Sequence, residues 1–464
     1  RGSRAVLERL DSEVTLKFYF NRSSPATPMF IKSYARQVED LLKEYELAGR
    51  GRLILEVYDP EPDSDEEEWA QRYGIQAQQT GMFTPPMYFG LVAVSGTREE
   101  SLPALSPQME ATLEYDVTRL IARVSTAGKP VVGILSSLPV MGMPELPGMM
   151  MPPGDRPRPW HFIEDLRRDF EVRSVDADAD GIDPEITTLM VIHPRDIEPR
   201  MLYAVDQFVM RGGRLIACVD PLSMADMENQ PQGQMSMFNM GAQGPSTLGP
   251  LFKAWGVGFD SGKVVADTKA VTRLGGMDGR IEESPVFLTL TVNNMNPSDL
   301  LTAQLDRVMM PFAGALTDAT GDEIHFEPLI TSSDAASLVD SMSAQFGMAA
   351  LRGQLRPDGM KHVLAARLEG TFPSAYPDGP PDRGENGDGN EGDVSGHLMA
   401  CAERNVILVV ADADFLMDRV SVREIEVMFG FKTMQPLNDN LAFAANAVER
   451  LSGSTDLISI RSRG

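Results

Sequence analysis

Four apolar stretches of this chain end in residues able to do chemistry. "VVGILSS" ends in Ser136 and Ser137, "TTLMVIH" in His193, "RLIACVD" in Asp220, and "NVILVVADAD" in Asp412 and Asp414. A serine, a histidine and a carboxylate on one rim suggest acyl transfer, in which the imidazole takes the hydroxyl proton and the carboxylate orients the imidazole. The local context argues otherwise. A nucleophilic serine needs a sharp glycine-flanked turn that exposes its oxygen and supplies backbone donors for the oxyanion. Here the context is "GILSSLP", with no glycine beside either serine, and His193 is followed by a proline. Ser and Asp also commonly end strands and begin turns. The six residues are therefore read as a binding rim, with a cryptic serine hydrolase as the minor alternative and no catalytic residue assigned.

A second set is soft rather than nucleophilic. Met141, Met143, Met149, Met150 and Met151 crowd one loop, and Met224, Met227, Met235, Met237 and Met240 another. Thioethers suit Cu(I), so a small-ligand or Cu(I)-binding protein is a rival reading. The whole chain carries 28 Met, however, and methionine is adaptable filler for a contact surface. A lid or contact loop is the preferred expectation.

Two cysteines, Cys218 and Cys401, cannot build a disulfide framework or a zinc site, although a single bridge between them stays open. "GENGDGNEGD" lacks the ligand spacing of a calcium loop, and no phosphate-binding G-x-x-x-x-G-K-[ST] loop is present. No metal and no cofactor is expected.

These residues need a scaffold. A chain of 464 residues exceeds one ordinary core, and its 42% hydrophobic and 23% charged composition is that of a globular protein. The formal charge of -25 repels nucleic acid and anionic lipid. No run approaches the roughly 18 apolar residues of a membrane helix, and the start is no signal peptide.

Residues 1–127 read as an α/β unit. The strand "VTLKFYF" is followed by a helical stripe of Ile31, Tyr34, Ala35, Val38, Leu41, Leu42 and Tyr45, then by the strand "RLILEVYDP", a crossover that implies parallel pairing. The acidic run "EPDSDEEEW" is read as a helix start, with Ser64 and Glu67 spaced as a capping box. After "TAGKP" the pattern changes to buried strands alternating with amphipathic helices, as in a doubly wound parallel sheet over 128–225 plus 400–464. Residues 226–399 are far longer than a crossover needs and are read as an insertion with some strands of its own and mobile loops.

The blocks "VTLKFYFNRSSP", "LEVYDPEP", "KPVVGILSSLP", "LMVIHPRDIEPRMLYAVDQFVMRGGRLIACVDP" and the ending "NDNLAFAANAVERLSGSTDLISIRSRG" resemble the GldG-type family of ABC transporter auxiliary proteins, which includes gliding-motility components. The resemblance covers residues 1 to about 225 and about 400 to 464. It implies a thioredoxin-like first unit, here without redox cysteines, since "NRSSPATP" stands where a redox pair would. It implies a second unit similar to class I glutamine amidotransferase-like folds, without that fold's cysteine elbow. It also implies an extracytoplasmic, periplasmic domain held in the inner membrane by helices outside this sequence, with ABC permease and ATPase subunits as partners. The function expected is a non-enzymatic docking module of a transport complex, with transported substrate and oligomeric state left open.

Overall fold

The computed structural model describes residues 7–452 except 8, 9, 11, 26, 79–84, 108, 109, 111, 112, 126–128, 143–157, 180, 229–243, 276–280, 347, 352, 382–395 and 428–430. The chain divides into two compact units, Arg1–Lys129 and Pro130–Ser452.

The first unit is built on strands β1 (Val14–Phe20), β2 (Leu53–Tyr58), β3 (Ala77–Gln78), β4 (Met87–Ser95) and β5 (Arg98–Leu102). Their order is β2-β1-β4-β3, with β5 on β4; β1 runs parallel to β2 and antiparallel to β4. The parallel pair is closed by the helix Met29–Ala48, whose buried stripe is Tyr34, Ala35, Val38, Leu42 and Tyr45. Those side chains meet Leu16, Phe18 and Phe20 from one face of β1, together with Val117, Ile121 and Val124 of the helix Leu113–Ser125. Tyr19 points to the other face, where it packs with Ala70 and Tyr88. The period-2 alternation of a strand thus serves two layers. The acidic run does start a helix, Asp65–Arg72: Ser64 Oγ accepts from Glu67 N at 3.2 Å. The return bond differs from a capping box, since the Glu67 carboxylate accepts from Asp63 N at 2.7 Å.

The second unit centres on a nine-stranded sheet. Strands β6 (Val131–Ser136), β7 (Glu171–Ser174), β8 (Ile186–Ile192) and β9 (Arg214–Cys218) come first, and β19 (Asn405–Val410) returns much later. These run parallel in the order β19-β9-β8-β6-β7. Successive residues feed opposite faces. Ile216, Cys218, Leu408 and Val410 join the layer of Phe162 and Leu166 from the helix His161–Asp169 and Phe443 and Val448 from the helix Asn440–Ser452. Leu215, Ala217, Ile407 and Val409 join Val205 and Phe208 of the helix Pro199–Met210 and Trp255 of the helix Gly249–Trp255. A sheet covered on both faces explains why its strands read as unbroken apolar runs.

The sheet is mixed rather than wholly parallel. Residues 226–399 supply β10 (Val257–Phe259), β15 (Leu316–Asp318), β16 (Ile324–Thr331) and β18 (Val363–Gly370), which extend it beyond β19. Strand β18 pairs antiparallel with β19, and β15 and β16 pair antiparallel with β18. Smaller sheets hold β11 (Lys263–Asp267) with β17 (Ala336–Asp340), and β12 (Val271–Gly275) with β13 (Ile281–Thr291) and β14 (Arg307–Pro311). Among the described residues no helix is long and apolar enough to cross a membrane.

Candidate functional site

The parallel strands place all six rim residues at their carboxyl ends, where open α/β sheets bind ligands. The rim divides into two groups. At the β6–β8 end, Ser136 Oγ donates to the Ile192 carbonyl at 2.8 Å and accepts from Leu138 N at 3.0 Å. Ser137 Oγ donates to the His193 carbonyl. Both hydroxyls are thus engaged with backbone, and neither hydrogen-bonds the imidazole.

His193 stands in the left-handed region with φ 48°, its N–H donating to the Cys218 carbonyl at 2.9 Å. Its ring is fully buried, and neither ring nitrogen has a hydrogen-bond partner. Burial, then the Arg195 cation, lowers its pKa to about 4, with Asp196 opposing. A neutral imidazole without a hydroxyl to serve is not a general base.

The second group is a carboxylate cluster. The register of β9 and β19 pairs Cys218 with Val410, and Val219 N donates to the Val410 carbonyl at 2.9 Å. Asp220 and Asp412 therefore leave adjacent strands at the same offset. Asp414 follows in the short 3-10 turn Asp414–Leu416. All three are fully buried, and one carboxylate oxygen from each lies within 4.8 Å of the others.

Backbone groups hold them there. Asp220 accepts from Leu222 N at 2.8 Å and Ala413 N at 3.0 Å. Asp414 accepts from Ser223 Oγ at 3.0 Å and Ala225 N at 3.1 Å, and also from Met224 N, at the start of the helix Met224–Glu228. Asp412 Oδ1 accepts from Phe415 N at 3.0 Å. Burial raises the pKa of Asp220 and of Asp412 well above the usual range, and neighbouring carboxylates add to it. Asp414 is pushed up to about 6 by burial, against the hydrogen bonds from Met224, Ala225 and Ser223.

The methionines are only partly in view. Met141 and Met224 pack against the core layer beneath the helix His161–Asp169, and Met224 and Met227 against a smaller cluster with Leu222 and Phe312. Met227 Sδ accepts from Gln345 Nε2 at 3.2 Å. Met143, Met149, Met150, Met151, Met235, Met237 and Met240 lie outside the described residues.

The bridge left open by the sequence is not formed: Cys218 and Cys401 are both free thiols. Cys218 belongs to one face of the sheet and Cys401 to the layer on the other, which is the reason they do not meet. Burial raises both thiols above their ordinary pKa, away from the reactive thiolate.

Sequence reasoning missed Ser223 and Ser246, the second of which accepts from Asp220 N at 2.9 Å. The run "DPLS" after β9 carried a signal for the first, a turn-forming Asp followed by a cap-forming Ser. For Ser246 no local signal existed. A shallow cavity of about 330 Å³, lined by Thr247, Phe252, Lys253 and Phe259, has no carboxylate or histidine in its lining.

Of the comparisons with known proteins, one family match bears on transport. No curated protein matches the chain. Of six solved chains that match, a beta-galactosidase from Rahnella sp. R3 is 11% identical over 70% of this chain, with a TM-score of 0.24. The alignment spans 38% of that enzyme's own length, and so slight a likeness carries neither fold nor activity across. Residues 1–93 match a domain of unknown function, DUF7088. Residues 129–447, which hold the whole rim, match the family described as ABC-type uncharacterized transport system, in accord with the resemblance drawn from the sequence blocks. On that match over more than half its length, the chain belongs to the ABC-type uncharacterized transport system family.

Proposed function

We propose that this protein is a non-enzymatic auxiliary module of an ABC-type transport complex, working on the extracytoplasmic side of the inner membrane beside a permease and its ATPase. The family match over residues 129–447 is the observation that carries this reading. The site chemistry supports it: the two rim serines are spent on backbone carbonyls and the rim histidine is buried without a partner. That is rim architecture rather than a charge-relay arrangement.

In this reading the first unit is a thioredoxin-like fold used for contact. The parallel pairing of β1 with β2 and the antiparallel pairing of β1 with β4 support that reading, and the segment after β1 has no cysteine. The second unit is the amidotransferase-like scaffold, whose rim with the methionine loops meets a partner or transported substrate. Met224 and Met227 are already committed to packing, which favours contact over soft-metal binding for that loop. Gliding motility is the narrower setting that the family resemblance suggests.

The test is chemical cross-linking of the complete protein in native membranes. Cross-links from the carboxylates of the rim segment 195–200, Asp196 and Glu198, to permease peptides are expected. Cross-links confined to unrelated membrane proteins contradict the proposal.

A further inference from the structure

The Asp220, Asp412 and Asp414 cluster is unlike the other buried acids of its unit. Asp299 is held by Arg367 at 3.0 Å and Arg450 at 3.2 Å. Asp206 accepts on both oxygens, from Ser374 Oγ at 2.7 Å and Ala375 N at 2.8 Å among others. Asp267 likewise accepts on both, from Ser333 N and Oγ and from Lys269 N. Asp412 is different: it is fully buried beside two more carboxylates, and its Oδ2 has no hydrogen-bond partner at all. A buried polar oxygen without a partner is costly, and two further buried carboxylates beside it add to that cost.

From this geometry we infer that Asp220, Asp412 and Asp414 form a buried site for one hard divalent cation, calcium foremost. The donor set is all oxygen, which selects calcium, magnesium or manganese over zinc or copper. Calcium ligands stand about 2.3 to 2.6 Å from the ion, so oxygens spaced by as much as 4.8 Å fit around it. Magnesium demands near-ideal octahedral geometry, which carboxylates already fixed by backbone bonds are less suited to supply than the flexible coordination of calcium. The ion would take Asp412 Oδ2 as a ligand and leave in place the backbone bonds that position the other oxygens. It would fasten the ends of β9 and β19 to the start of the helix Met224–Glu228, at the base of the second methionine loop. This site is independent of the transport reading, and it departs from the expectation that the chain holds no metal.

The complete chain, stripped with a chelator, should take up one calcium per molecule by isothermal titration calorimetry. At a free calcium concentration a hundredfold above Kd, its Tm should rise by about 4 °C. Asp412→Asn keeps the Oδ1 acceptor for Phe415 N and should abolish both uptake and the Tm shift; if it does not fold, Asp414→Asn serves the same purpose. A wild-type protein that binds none of calcium, magnesium or manganese overturns the inference. So does calcium uptake that survives in both variants. A Tm insensitive to all three ions but rising as pH falls identifies a proton-sharing cluster instead.

Discussion

Between about pH 7.5 and about pH 5, His193 should become a liability that a single substitution removes. Its folded-state pKa is lowered to about 4 from an ordinary 6.5, because the ring is buried without a partner and sits near the Arg195 cation. Over that range the unfolded chain binds the proton and the folded chain does not. Stability from this residue is therefore fully present above pH 6.5 and is lost as pH falls toward 4. The whole shift corresponds to something on the order of 3 kcal/mol, of which about 2 kcal/mol is lost by pH 5. The carboxylates of Asp220, Asp412 and Asp414 have raised pKa values and act in the opposite sense, holding their contribution at low pH and losing it as pH rises. They are common to both proteins, so the difference between wild type and His193→Asn isolates the histidine. Asparagine tolerates the positive φ at this position. Urea unfolding followed by Trp160 and Trp255 fluorescence, in a Trp69→Phe background, reports on the second unit. The wild type should lose about 2 kcal/mol more than His193→Asn between the two pH values. Parallel pH profiles for the two proteins would refute a buried, unpartnered imidazole.

Further predictions follow from single contacts. Ser136→Ala and Ser137→Ala should each cost about 1 kcal/mol in urea unfolding, through the bonds to the Ile192 and His193 carbonyls, and a serine-reactive probe should label neither residue in the native protein. Asp299→Ala should cost about 1 to 3 kcal/mol by the same assay, since it removes the buried carboxylate that pairs with the partly buried Arg367 and Arg450. Gly213→Ala should destabilise by about 1 to 3 kcal/mol, because a Cβ there would lie 2.4 Å from the Phe208 ring. Neither thiol should react with a disulfide reagent until denaturant is added, Cys218 and Cys401 both being buried.

The local pattern of residues revealed the strands, the helices and the rim, because each is written in a short period. The alternation in "VTLKFYF" and the stripe from Tyr34 to Tyr45 directly encode which faces are buried. The same holds for the rim, since an apolar run that stops at Ser, His or Asp marks a strand end. What the sequence concealed is tertiary. Asp220 and Asp412 are 192 positions apart, and only the pairing of Cys218 with Val410 makes them neighbours. "KHVLAARLEG" reads as a strand, yet nothing in it says that it lies antiparallel on β19 and turns a parallel sheet into a mixed one. The place of Asp414 beside the other two carboxylates was equally hidden, because it is set by Ser223 and the residues after it rather than by its own strand.

The central claim is that this chain works as part of an ABC-type transport complex. The most direct measurement is affinity purification of the full-length protein from detergent-solubilised native membranes, with co-purifying subunits identified and quantified by mass spectrometry. The account predicts an ABC permease and its ATPase in fixed ratio to the protein. Recovery of the protein alone, or in the soluble fraction, would contradict it.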